Sequence, residues 1–140
     1  MTSIQQKQDK LIQLFRGAPI VKSFGMQLSY SDDGRAIVDL PYNPNLDHGY
    51  LQIHGGAMAT LLDTAGWFTV APHFDFWIAT IEFSTRLLIP AERESLQAGG
   101  KIVRLGKRLA FCDMEVKNSR GQLVAVGSGT FSVTSVPAKW

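Results

Sequence analysis

The chain has 140 residues, of which 45% are hydrophobic and 19% charged, with a mean hydropathy of +0.01. That length supports a single hydrophobic core, and the composition excludes a disordered chain. Fourteen basic against 12 acidic residues leave a net charge of +2, too small a surplus for a protein that holds nucleic acid by charge.

Residues Met1 to Lys7 contain no apolar stretch of the secretory type, so no signal peptide is expected. The spacing predicts an amphipathic helix over about Ser3 to Arg16. Ile4, Leu11, Ile12, Leu14 and Phe15 supply its apolar side, and Gly17 and Pro19 end it. A loosely alternating strand from Met26 to Leu40 follows, with a turn signal at Asp32-Asp33-Gly34 and with Ala36, Val38 and Leu40 on one face. A loop rich in proline, asparagine and glycine leads to Gly49. Gly55 to Ala71 reads as a long helix closed by Pro72, apolar on nearly every side and therefore expected to be buried on nearly every side. No apolar run reaches the ~20 residues of a membrane span. Four strands are expected after it: Phe76 to Ile89, stopped by Pro90; Ser95 to Leu105, kinked at Gly99-Gly100; Arg108 to Lys117; and Gln122 to Thr134. Short turns at Gly106-Lys107 and Asn118 to Gly121 make these strands antiparallel neighbours. The lone Cys112 alternates with Ala110 and Met114 as a packed strand residue and cannot form an intrachain disulfide, which suits a cytoplasmic protein. The simplest architecture is α+β, an antiparallel sheet curled around the long helix, with a free sheet edge available for dimerisation.

Asp63 is the only charged residue between Gly55 and Ala71, and no lysine or arginine lies between Ala36 and Thr85. A carboxylate in such a segment is costly unless paired or hydrogen-bonded, and proteins keep such groups mainly where their reactivity is used. The bland alternative is a surface aspartate, or one bonded to Thr60 or Thr64. His54-Gly55-Gly56 opens the same helix. Its first-turn N–H groups and partial positive charge suit a polarised carbonyl, and glycines let a ligand come close. A plain glycine-rich helix entry is the competing reading. Gly55 and Asp63 are eight positions apart, about 12 Å along a helix. If both act on one carbonyl carbon, they belong to different subunits, and the site lies between two antiparallel copies of this helix.

His54-Gly55-Gly56, followed by apolar residues and Leu62-Asp63-Thr64-Ala65, resembles the hotdog-fold thioesterases of the phenylacetate-pathway (PaaI-like) type. The resemblance runs from Phe24 to Val133 and includes Leu88-Ile89-Pro90-Ala91, Val103 to Phe111 and Ala125 to Phe131. It implies a hotdog domain over residues 24–136, preceded by a helical segment (1–23) and followed by a short tail (137–140). It implies hydrolysis of an acyl-CoA thioester by homodimers, often assembled as homotetramers, with no metal or redox cofactor. By the same resemblance Asp63 is the general base for water, with direct nucleophilic attack as the other reading. Gly55 N–H polarises the carbonyl, His54 shapes that turn and bonds the substrate or the loop, Gly56 contacts the substrate, and Thr80 falls about where several relatives carry a partner-chain hydroxyl that orients water. Many relatives have an asparagine six positions before the histidine. This sequence has His48 there, in a loop about two residues longer than usual, so Asn45 is the other candidate for that role. Trp67 stands where some relatives have a small hydroxyl residue, and it would narrow the acyl pocket.

Trp67, Phe68, Phe74, Phe76, Trp77 and Phe83 are explained by core packing or, more sharply, by an acyl pocket. Lys101, Arg104, Lys107 and Arg108 read individually as a charged edge and together as a contact for coenzyme A phosphates. His48 and His54 without further ligands do not make a metal site. Two rivals to hydrolysis are a non-catalytic acyl-CoA or lipid-binding module, and a hotdog hydratase, which would need a histidine paired with an acid.

Overall fold

The computed structural model describes residues 2–140. In chain order it contains helix α1 (Ile4–Gly17), short helix α2 (Pro19–Phe24), strands β1 (Gln27–Tyr30) and β2 (Ala36–Leu40), and the central helix α3 (Gly55–Val70). Five strands follow: β3 (Phe76–Phe83), β4 (Arg86–Leu87), β5 (Leu96–Leu105), β6 (Leu109–Asn118) and β7 (Leu123–Pro137). Single 3₁₀ turns at Pro44–Leu46 and Ala71–His73 lie before and after α3. The strands make one sheet in the order β1-β2-β5-β6-β7-β3, and β4 also pairs with β7. Every pairing is antiparallel. This is the hotdog arrangement, a sheet laid around one long helix. No helix among the described residues is long and apolar enough to cross a membrane.

The core lies between α3 and the inward faces of β2, β5, β6 and β7. Leu61, Leu62, Ala65, Val38, Ala98, Val116, Val124 and Phe131 are all fully buried there. Close approach depends on small residues on both sides. A methyl group at Gly100 of β5 would sit 2.4 Å from Thr69 Oγ1 and 2.9 Å from the Ala65 carbonyl oxygen. The Thr69 hydroxyl donates to Ala65 O at 2.7 Å and accepts the Ala36 N–H at 3.0 Å, tying α3 to β2. Cys112 is buried on the inward face of β6, and burial pushes its thiol up to about 12.

Several elements differ from the sequence expectations. Gly17 and Pro19 end α1, but Pro19 also starts α2, since proline at the first helical position needs no N–H partner. The buried face of α1 is Lys7, Leu11 and Phe15, while Ile4 and Leu14 are exposed. Lys7 tolerates burial because its ammonium reaches Asp75 at 2.7 Å. The segment from Met26 to Leu40 is a hairpin of two strands around its Asp-Asp-Gly turn. Phe76 to Ile89 likewise splits into β3 and β4, interrupted at Ser84-Thr85, where the Ser84 carbonyl comes to 2.1 Å from where a Cβ at Gly127 would sit. Only glycine at 127 permits that crossing. Gly99-Gly100 does not kink β5. The strand runs through it, and its register shift falls between Ile102 and Arg104. β7 extends to Pro137.

The largest correction concerns α3. It is buried along one face only: Ala57, Met58, Leu61, Leu62, Ala65, Gly66, Thr69 and Val70. The other face, with Gly56, Ala59, Thr60, Asp63, Thr64, Trp67 and Phe68, is half-buried or open in the single chain. Beside it runs β3, whose outer edge has no strand partner and which exposes Trp77 (42%) and Ile81 (56%).

Candidate active site

Asp63 sits on the half-open face of α3, next to β3. Its Oδ1 accepts the Thr80 hydroxyl at 2.8 Å. Thr80 belongs to the same chain as Asp63 and bonds it there, whereas the resemblance implied a hydroxyl delivered by the partner. The reason is topological: β3 is the edge strand beside α3, so its inward residues Ile78 and Thr80 meet that helix. A register shift between Thr80 and Glu82 re-aims the strand at this point. Thr60 and Thr64 do not bond Asp63. Their hydroxyls donate back to helix carbonyls, at Gly56 O (3.0 Å) and Thr60 O (2.6 Å). Among the described residues, no ion pair includes Asp63. Desolvation raises its carboxyl above the ordinary aspartate range, and the Thr80 hydrogen bond pulls it partly back.

At the start of α3 the imidazole of His54 is the N-cap. Its Nδ1 accepts Gly56 N–H at 2.8 Å. The His54 carbonyl accepts Ala57 N–H at 2.9 Å and Met58 N–H at 3.3 Å. Gly55 N–H is thereby the first-turn donor left without an acceptor among the described residues. A Cβ at Gly56 would lie 2.9 Å from His54 Nδ1, the ring that caps the turn, whereas one at Gly55 would meet only the tip of the exposed Leu87 side chain, which can turn aside. The ring thus caps the turn through Nδ1.

A groove of 310 Å³ opens beside Gly55, lined by His48, Gln52, Ile53, Met58 and the run Leu87 to Ala91. His48, Gln52 and Ile53 of the long loop reach it, and His48 Nδ1 accepts Tyr50 N–H at 3.0 Å. Asn45 stands on the exposed 3₁₀ turn and does not line it. Sequence reasoning missed Gln52 and Leu87. Gln52 carried a signal, a lone amide among Tyr50, Leu51 and Ile53, whereas Leu87 is brought in only by the pairing of β4 with β7. A larger hollow of 660 Å³ lies elsewhere, lined by Arg35, Gln97, Lys101, Glu115 and Ser128 among others. Neither Asp63 nor Gly55 touches it, and its polar groups are partly spoken for: Arg35 pairs with Asp33, and Ser128 bonds Asp113.

Trp67 lies one turn after Asp63 on the same face. Its Nε1 donates to the Ile78 carbonyl at 3.0 Å, and its ring meets Phe68, Trp77 and Trp140 at centroid distances of 4.8, 5.0 and 5.6 Å. Arg104, Lys107 and Arg108 are exposed around the β5–β6 turn. That turn is far from the groove of its own chain. Arg108 O takes Val133 N–H, whereas Leu87, which covers Gly55, pairs with Ala125. Eight residues of β7 separate those points, about 26 Å.

The sequence profile of the thioesterase superfamily matches residues 52–125 of this chain. A "putative esterase" of Halobacterium salinarum is 30% identical over 127 residues, spanning 81% of this chain and 83% of its own length. Another, from Thermoplasma acidophilum, is 25% identical over 130 residues, spanning 86% and 98%. Among solved structures, the Escherichia coli PaaI protein from the phenylacetic acid degradation operon superposes with a TM-score of 0.88 at 20% identity, covering 96% of this chain and 99% of that one. A thioesterase from Haemophilus influenzae superposes at 0.84 with 17% identity, covering 94% and 92%.

Proposed function

The chain belongs to the thioesterase superfamily, and from that premise we propose that it hydrolyses an acyl-CoA thioester to a free acid and coenzyme A, at a centre shared by two copies of the chain. The observation that carries this reading is Asp63: a half-buried carboxylate without a cation, with Oδ1 held by Thr80 and Oδ2 left to accept from water. In one chain it is about 12 Å along α3 from the free Gly55 N–H. Two antiparallel copies of α3, set against each other through their half-open faces, would bring the Asp63 of one to the Gly55 of the other. The exposed apolar β3 edge beside that face supports such a pairing.

In the proposed step Asp63 takes a proton from water as the water oxygen adds to the thioester carbonyl carbon. The oxyanion forms against Gly55 N–H at the positive end of the helix. Collapse breaks the carbon–sulfur bond, and the proton on Asp63 passes to the departing thiolate. His54 keeps the turn in shape by capping Gly56. His48 supplies a polar group to the groove in place of the relatives' asparagine. The hydrocarbon arm takes the apolar groove beside Gly55. Arg104, Lys107 and Arg108 are assigned to the phosphates of coenzyme A. The reaction is read as needing no metal or redox cofactor.

The test is release of free thiol from a panel of acyl-CoAs, read with a thiol reagent, for the wild type and Asp63→Asn. Asp63→Asn is expected to lose most turnover while still binding the ester. Equal turnover by the variant on the best substrate overturns the assignment. Binding without hydrolysis by the wild type identifies a non-catalytic acyl-CoA module instead.

A further inference from the structure

Residues 71–75 connect α3 to β3, and two buried side chains from opposite ends of the sequence close on them. From α1, the Lys7 ammonium reaches Asp75 Oδ1 at 2.7 Å and lies 3.5 Å from the Phe74 carbonyl oxygen. From beyond β7, Trp140 Nε1 donates to that same carbonyl at 3.0 Å, and Ala138 N–H donates to Asp75 O at 3.0 Å. The Trp140 ring is thereby set between helix and strand, its centroid 5.6 Å from Trp67 of α3 and 5.9 Å from Trp77 of β3. A buried ammonium persists only where it is paired, so Lys7 is fixed on this connection.

From that clamp two hydrogen bonds run in order toward the site. Trp67 Nε1 donates to Ile78 O at 3.0 Å, and one helical turn earlier Asp63 Oδ1 accepts from Thr80 Oγ1 at 2.8 Å. β3 needs such support. It is an edge strand with β7 on one side only, and its register with β7 shifts both before Ile78 and after Thr80. Irregular pairing lets an edge strand bend and lean, so β7 by itself does not set the spacing of β3 from α3. A hydroxyl-to-carboxylate bond is gone by about 3.6 Å, so a lean of under about 1 Å is enough to break the one at Asp63. We propose that Lys7 and Trp140 are positioning residues for the reaction: they pin the α3–β3 connection and wedge Trp67 from Trp77, so that Thr80 stays on Asp63.

This inference rests on Asp63 as the base, but its first readout is the hydrogen bond rather than turnover. Among the described residues no ion pair includes Asp63, and burial and the Thr80 hydroxyl are what move its carboxyl. Loss of the bond therefore moves its titration to higher pH. The Asp63 carboxyl is titrated by carbon-13 NMR, its signal assigned by its absence from Asp63→Asn. The whole chain is used, as wild type, Lys7→Met, Trp140→Ala, Trp140→Phe, Thr80→Val, and Thr80→Val combined with each of the others. Thiol release from acyl-CoAs is measured in parallel. Lys7→Met and Trp140→Ala are expected to move the titration in the same direction as Thr80→Val and no further, and to lower kcat/KM by less than about tenfold. Combined with Thr80→Val they add nothing to either readout, because the bond they act through is already gone. Trp140→Phe keeps the wedge and loses only the N–H, and it falls between wild type and Trp140→Ala. Should Trp140→Ala not fold, Trp140→Phe and Lys7→Met carry the same cycle. Folded variants with the wild-type Asp63 titration, or shifts that add in full to that of Thr80→Val, overturn the proposal. Coupled titration shifts in a chain that hydrolyses no ester would sink the hydrolase reading and leave the clamp standing. Hydrolysis that Thr80→Val slows, while Lys7→Met and Trp140→Ala leave both rate and titration untouched, would do the reverse.

Discussion

The two faces of α3 obey different rules. Toward the sheet, Leu61, Leu62, Ala65 and Val70 are fully buried, and Gly66 and Gly100 are small because the helix and β5 or β6 meet there without slack. Toward β3, the same helix carries a carboxylate, two threonines and a pinned indole, and half of that surface is open. The first face is finished within one chain. The second has its local hydrogen bonds made but its desolvation left incomplete, which is the state expected of a surface that functions only when something else lies on it. Packing density marks the face that maintains the fold, and an unneutralised carboxylate marks the face that has a task.

Substitutions can break or sharpen that contrast. The largest expected effect is on the open face: Asp63→Asn lowers kcat by about 10²–10⁴-fold, the range for loss of a general base, measured by thiol release under saturating ester. On the packed face, Gly100→Ala destabilises by about 1–3 kcal/mol, because the methyl enters the contact between Thr69 and Ala65, as read from denaturant midpoints. A fully stable variant would show that the packed face has slack after all. Thr80→Val keeps the strand but removes the donor to Asp63, and kcat/KM is expected to fall by about tenfold, the cost of one hydrogen bond to a charged group. Its pH profile is the sharper readout. The base acts ionised, so activity falls as pH drops through the Asp63 pKa, already above that of an ordinary aspartate. The Thr80 bond lowers that value, so its loss moves the acid limb to higher pH.

The smallest effect is on stability. Burial raises the Asp63 pKa above its unfolded value, so ionisation works against folding. The penalty is absent below the unfolded pKa, grows as pH rises through the folded one and is complete above it. Asp63→Asn is therefore expected to be more stable than wild type at neutral pH, with the gain vanishing in acid. Thermal melts at two pH values check this.

Much of this was legible in the chain itself. Alternation over Ala36, Val38 and Leu40 marked β2. The length and apolarity of Gly55 to Ala71 marked α3, and the absence of any lysine or arginine around it made Asp63 conspicuous. What escaped is instructive. Composition says how apolar a helix is but not which side a sheet will cover, so α3 was expected to be buried all round. Pro19 was read as a stop because the same residue that ends one helix can begin the next. Gly99-Gly100 was read as a kink, yet Gly100 serves the approach of α3, a contact made by residues some thirty positions away. The bond from Thr80 to Asp63 and the cover of Gly55 by Leu87 depend on which strands pair across the sheet, and no local pattern carries that information.

Cys112 bears on how these experiments read out. Its sulfur lies inside the sheet, and its thiol, pushed up to about 12, stays protonated at any ordinary assay pH. A reagent that colours on meeting coenzyme A finds one other possible target in the chain, and the native state conceals it. Colour that develops without ester then reports how often β6 parts from its neighbours, giving each variant an internal clock for global opening in the same cuvette that measures its turnover.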